Sequence, residues 1–238
     1  MLKRVAVLYE DGSCIVLNKP VGLAVQGGKG IGVSLDSILA ENWPQRPLLV
    51  HRLDRDTSGV ILVAKTKEAA AFFSQLFDAS RSPTPDPRSP VPSPQSPQKQ
   101  YLAMCKGTPL TNEGVITLDL AIHGNIKKSV THFRLLNEFS NGAFSLLELE
   151  LGTGRMHQIR RHLAGTGNPV LGDDKYGDFS LNRSLRTTMQ VRKLLLHASR
   201  LVIPAMPDGS CLDIIAPLPD HFQHCIDRLS SERISNIP

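Results

Sequence analysis

"LLVHRLDRDTSGVILVAK", residues 48–65, sets two apolar runs on either side of a knot of charge made by His51, Arg52, Asp54, Arg55 and Asp56. Each run reads as a strand, so the residues between them are brought beside a core, where an ion without a partner is costly. Charges kept in such a place point to chemistry rather than to packing.

Working outward, "SCIVLNKPVGLAVQGG" (13–28) reads as a strand followed by Pro and Gly turn signals. On the other side, "KEAAAFFSQLFDAS" (67–80) carries Ala, Phe and Leu at helical spacing. It runs into "RSPTPDPRSPVPSPQSPQ" (81–98), a Pro/Ser-rich stretch with seven prolines. Such a segment lacks the backbone donors for helix or sheet, so an extended, flexible surface insertion is predicted there. Four strand-length runs follow, "KQYLAMCKG" (99–107), "GVITLDLAIHG" (114–124), "VTHFRLLNEF" (130–139) and "AFSLLELELG" (143–152). Their short breaks favour antiparallel pairing. "RMHQIRRHLAG" (155–165) reads as a helix with Met156, Ile159 and Leu163 on its buried stripe and Gly165 as its stop. "KLLLHASRLVIP" (193–204) and "SCLDIIAP" (210–217) return to strand character, and "DHFQHCIDRLSS" (220–231) closes as a helix on Phe222, Cys225, Ile226 and Leu229. Strands broken by a few helices make an α+β fold.

The 238 residues suffice for one large domain or two small ones, and no internal repeat is present. No apolar run reaches membrane-spanning length, and "MLKRVAVLYEDG" meets acidic residues too early for a signal peptide. A cytoplasmic protein without a membrane partner is therefore expected. Cys14, Cys105, Cys211 and Cys225 form no C-x-x-C pair, so neither a disulfide framework nor a thiolate zinc site is suggested. "HFQHC" (221–225) imitates a metal cluster, but Cys225 belongs to the apolar stripe and no fourth ligand stands out. The net charge is +5, and between Gly152 and Arg200 nine Lys/Arg face only Asp173, Asp174 and Asp178. That concentration fits a polyanionic partner. Arg160, Arg161, Arg183, Arg186, Arg192 and Lys193 are its candidate phosphate contacts, each also readable as an ordinary solvated surface charge.

Asp54 and Asp56 form a D-x-D-T pattern, which haloacid dehalogenase-type phosphatases use to hold Mg²⁺ and attack phosphate; "VLGDDKYGD" (170–178) adds Asp173 and Asp174. The context argues against that alternative. The strand before such a nucleophile is hydrophobic throughout, whereas His51 and Arg52 intervene here.

With its neighbours, "HRLDRDTSG" (51–59) resembles the H-R-L-D-x-x-T-S-G signature of the RluA family of pseudouridine synthases. "NKPVGL" (18–23), "KQYLAMCKG", "SVTHFRLL" (129–136), "GTGRMHQIRRHLAGTGNPVLGDDKYG" (152–177) and "LLLHASRLVIP" (194–204) continue the likeness in the family's order, from about Tyr9 to Ile215. The resemblance implies an α+β fold with a mixed, mainly antiparallel central sheet in two halves, flanking helices and a catalytic cleft across the middle. It implies one catalytic domain over residues 1–238 and an RNA substrate, ribosomal or transfer, with no obligate protein partner; many members of the family carry an N-terminal S4 domain, and none is expected here because there is no room for one before "NKP". No cofactor or metal is implied, since bonds are broken and remade within the substrate.

The resemblance makes Asp54 the catalytic nucleophile. A sheltered carboxylate needs a cation to stay ionised, and Arg155 is the candidate. At the start of a helix, where the macrodipole disfavours a cation, Arg155 is either simply solvated or set opposite a carboxylate. The resemblance implies the second. Tyr101, by itself readable as a core or edge residue, becomes the ring on which the uracil stacks. Arg52 is either a partner of Asp56 or, by resemblance, the group that fills the place of the flipped base. Leu196 resembles the aliphatic residue lining the pocket, while His51 and His197 read as structural. Met156 stands where the family has Thr, at a position read here as buried.

Overall fold

In the computed structural model, which describes residues 5–28, 30, 32–79, 96–122 and 125–234, the chain divides into two compact units, Met1–Lys99 with Ala198–Pro217, and Gln100–His197 with Leu218–Pro238. The first unit holds β1 (Ala6–Glu10), β2 (Cys14–Lys19), α1 (Leu35–Asn42), β3 (Leu48–Leu49), β4 (Ser58–Ala64) and α2 (Lys67–Ala79). The second holds β5 (Gln98–Lys106, its first two residues in the first unit), β6 (Glu113–Thr117), β7 (Leu120–Ile122), β8 (Asn125–Lys127), β9 (Val130–Phe139), β10 (Phe144–Leu151), α3 (Gln158–Gly165) and α4 (Phe179–Thr188). Then β11 (Leu196–Ile203) starts in the second unit and ends in the first, β12 (Leu212–Ile215) lies in the first, and α5 (Asp220–Ile234) in the second. The class is α+β with a mixed, mainly antiparallel sheet. Residues 81–95 of the proline-rich insertion lie outside the described residues.

Strand order in the first unit is β1-β2-β4-β11, with β12 on β11 and β3 on β4. All seven residues of β4 are buried, as befits a central strand covered on both faces, and β2 pairs with it antiparallel from Cys14↔Ala64 to Lys19↔Gly59. Gly59 is obligatory: its φ is +112°, and a Cβ there would stand 2.1 Å from the carbonyl oxygen of Ala198. The α2 face built on Phe73, Leu76 and Phe77 is buried, as its spacing predicts. Helix α1 was not legible in the sequence. Its N-cap Ser34 and Ser37 form a capping box with serine in place of the usual Glu or Gln.

In the second unit the order is β5-β10-β9-β6, with β7 and β8 as a separate hairpin. Its core joins Met104 and Phe139 to Leu171, Leu185, Leu195, Phe222, Cys225 and Leu229. Cys225 is therefore a packing residue, and His221 lies 3.4 Å from the Leu194 carbonyl with burial pulling its imidazole down. Helix α3 starts two residues later than its apolar spacing requires. Met156 lies before it and is 48% exposed, which corrects the reading of Met156 as buried. Helix α4 was also missed, because apart from Phe179, Leu181 and Leu185 its residues are polar; its N-cap Asp178 accepts from the N–H of Leu181. Among the described residues no helix is long and apolar enough to cross a membrane.

Candidate active site

The charged knot forms a loop that enters β4, with Asp54 and Asp56 half-buried and Arg52 and Arg55 exposed. Its backbone is tied down from β2. Lys19, the last residue of that strand, is 0% exposed, and its Nζ donates to the carbonyls of Pro20 (3.1 Å), Leu23 (2.8 Å) and Arg55 (3.0 Å). Gly22 N–H donates to the same Arg55 carbonyl, Arg55 Nε donates to the Gly22 carbonyl, and Thr57 N–H donates to the Asp54 carbonyl. Three acceptors match the three N–H groups of an ammonium. Burial lowers the Lys19 amine to about 7, while the carboxylates of Asp56 and Asp54 pull it back up. Sequence reading missed this residue; the available signal was a lysine ending a strand that opens with four apolar residues, immediately before Pro20.

His51 is structural, as expected. Its Nε2 accepts from Leu62 N–H at 2.9 Å, so that nitrogen carries no proton, and its ring packs on Phe77 at 4.2 Å between centroids. Arg52 makes no ion pair with Asp56 among the described residues, which removes the bridge weighed for it.

In the second unit, Tyr101 is buried on β5 opposite Leu149 of β10, and Leu196 and His197 are buried at the start of β11. Half-buried Arg155 sits on the turn before α3. Gln158 organises that turn: its Oε1 accepts from Arg155 N–H (3.0 Å) and Thr153 Oγ1 (2.7 Å), and its Nε2 donates to the Val130 carbonyl and Thr131 Oγ1. A single buried amide thus fixes the backbone of Arg155 to β9.

Arg160 is a correction. Read as a phosphate contact, it is 3% exposed, and its guanidinium donates through Nε and Nη2 to both oxygens of buried Asp173 at 2.7 and 2.6 Å. Burial pushes the Asp173 carboxyl up, but Arg160 and the N–H groups of Tyr176 and Lys175 outweigh it and hold it below the usual carboxylate range. Asn182 of α4 closes the network, donating to the Asp173 carbonyl and accepting from Gly172 N–H. Asp173 therefore serves the fold, which disfavours the phosphatase alternative. Among the described residues no group of three or more His, Cys, Asp or Glu side chains is placed to hold a metal ion. Arg183, Arg186, Arg192 and Lys193 are exposed and, among the described residues, form no ion pair; Arg161 is half-buried.

The chain matches the family model described as RNA pseudouridylate synthase over residues 13–165. It is 34% identical over 231 residues to the ribosomal large subunit pseudouridine synthase C of Rickettsia bellii, covering 91% of this chain and 69% of that protein. The protein of the same name from Vibrio cholerae is 32% identical (94% and 69% covered), and that from Escherichia coli O157:H7 is 33% identical (95% and 70%). Among solved structures, human RNA pseudouridylate synthase domain containing 4 aligns with a TM-score of 0.73 at 27% identity, covering 94% of this chain and 93% of that one. Human RNA pseudouridylate synthase domain containing 1, at 24% identity and a TM-score of 0.72 (100% and 97% covered), shares the fold. With a family model over more than half its length and relatives above 30% identity, this chain belongs to the RNA pseudouridylate synthases, the family to which its RluA-like motifs pointed.

Proposed function

We propose that this protein, as one catalytic domain acting in the cytoplasm, isomerises uridine in ribosomal RNA of the large subunit, with Asp54 as nucleophile. The observation that carries the reading is the "HRLDRDTSG" loop itself, half-buried at Asp54 and tied through the Arg55 carbonyl to the fully buried amine of Lys19. The large-subunit target rests on the names of the bacterial relatives.

Asp54 acts at C1′ of a uridine turned out of its helix, and the electron pair of the N1–C1′ bond leaves with the uracil. The uracil turns, C5 bonds to C1′ as the carboxylate is released, and the C5 proton passes to solvent. No electrons are exchanged with another reagent, so the chemistry calls for no redox cofactor. Arg155 is the active-site arginine that the family resemblance implies. Tyr101 offers a ring to the extruded base, replacing stacking worth about 1–3 kcal/mol. Leu196 lines the base pocket and Arg52 takes the space the base leaves. Arg161, Arg183, Arg186, Arg192 and Lys193 neutralise phosphates of the surrounding RNA.

Mapping pseudouridines in a strain lacking the protein tests the target. Loss of one or more sites in large-subunit RNA, restored by the wild-type gene and not by Asp54→Asn, is expected. Loss confined to transfer RNA would move the substrate, and an unchanged map would contradict the reading.

A further inference from the structure

The turn that carries Arg155 is held at a second point, by a residue in a strained conformation. His157 has φ 53° and ψ 26°, the left-handed region, at the N-cap of α3, and its side chain makes no capping hydrogen bond. A β-carbon is crowded there, and glycine or asparagine takes the position more easily. The other non-glycine residues with positive φ among those described, Ser140, Asn141 and Gln190, lie in the β9–β10 connection and just beyond α4. Strain at His157 is offset by what its ring does. Its Nδ1 lies 3.1 Å from the Tyr176 hydroxyl, and the two rings meet edge to face at 5.6 Å.

Tyr176 is itself fixed. Its N–H donates to Asp173 Oδ1, its ring lies 5.2 Å from the Arg160 guanidinium and 5.5 Å from the Lys175 ammonium, and Asp173 is bound by Arg160 of α3. The buried Arg160–Asp173 pair thus forms a rigid base, Tyr176 stands on it, and His157 reaches from the Arg155 turn to meet Tyr176. Gln158 sets the backbone of the turn against β9. His157 sets the other side of it against the 173–177 loop.

We propose that His157 and Tyr176 are a positioning pair for Arg155, setting the rate of isomerisation rather than the affinity for RNA. This rests on the reading of Arg155 as an active-site residue. Neither partner of the pair needs to touch the uridine.

The test measures single-turnover tritium release from large-subunit RNA carrying 5-tritiated uridine, together with RNA binding and the thermal midpoint. His157→Gly relieves the backbone strain, so its midpoint is expected to equal or exceed that of the wild type while its rate falls about tenfold at unchanged RNA affinity. Tyr176→Phe keeps the ring and loses the hydroxyl, and its rate is expected to fall about fivefold, the change one hydrogen bond makes. The double variant should fall no further than His157→Gly alone. Rates within twofold of wild type in both single variants, or losses that multiply in the double variant, would overturn the proposal. Arg155→Ala separates the two layers. If it abolishes release while the pair variants behave as wild type, only the pairing role fails; a wild-type rate in Arg155→Ala would remove the reading of Arg155 and the pair's role together.

Discussion

Two loops carry the proposed chemistry, and they are held by opposite means. The 52–57 stretch of the first unit is tied mainly through its main chain: one buried amine and one glycine N–H meet on the Arg55 carbonyl, the Arg55 side chain adds a bond to the Gly22 carbonyl, and the Arg52 side chain is exposed. The 153–177 region of the second unit is tied through side chains, with Gln158, His157, Tyr176, Arg160, Asp173 and Asn182 each bonded to another part of the region or its surroundings. A main-chain tether fixes where a loop runs with little help from its own charged side chains. A side-chain lattice fixes one particular group and spends most of its own charges doing so, which is why Arg160 has nothing left for RNA.

The largest effect should come from breaking the lattice at its base. Arg160→Ala leaves the Asp173 carboxylate buried without its partner, and a loss of about 3–5 kcal/mol is expected from urea denaturation. The half-exposed Arg134–Glu148 pair of the same unit gives the contrast, with Arg134→Ala expected to cost less than about 1 kcal/mol. Equal costs would erase the distinction between lattice and surface. The same pair has a pH signature. The Asp173 carboxyl is held below its ordinary range in the fold, so its contribution is complete above the unfolded value near pH 4 and disappears as pH falls through the lower folded value. An Asp173→Asn variant should lack that part of the acid transition.

Lys19→Met should come next. It takes the Lys19 donor from the Pro20 and Leu23 carbonyls, leaves the Arg55 carbonyl with Gly22 N–H alone, and also removes a desolvated charge, so a net loss of about 1–3 kcal/mol is expected. Its effect on rate should exceed its effect on RNA affinity, since the nucleophile's loop loses its anchor. A stability loss with an unchanged rate would sharpen the comparison the other way, making Lys19 a core residue only. The smallest effect on stability belongs to the exposed cations. Arg183→Ala with Arg186→Ala should change it by no more than about 0.5 kcal/mol, yet weaken RNA binding and reduce its salt slope by roughly two.

The comparison also shows what a sequence displays and what it hides. Strands β2, β4, β5, β9 and β10 and helices α2 and α5 were legible because apolar periodicity records burial directly. Helices α1 and α4 were not, one capped by an unusual serine pair and the other mostly polar in composition. The family was legible from a chain of short motifs in order. Lys19 and the Arg160–Asp173 pair were not, because a buried charge and an exposed one are written with the same letter; only the fold says which arginine meets a carboxylate. Met156 failed for a related reason: helical spacing extended the stripe back past a left-handed residue, His157, where the helix had not begun.

The most direct measurement is tritium release from RNA containing 5-tritiated uridine, run for the wild type and Asp54→Asn with and without EDTA. Release by the wild type that persists in the chelator and vanishes in Asp54→Asn is the expected result. Release that survives the substitution would take the nucleophile's role away from Asp54, and RNA binding with no release by the wild type would leave a binding protein in place of an enzyme.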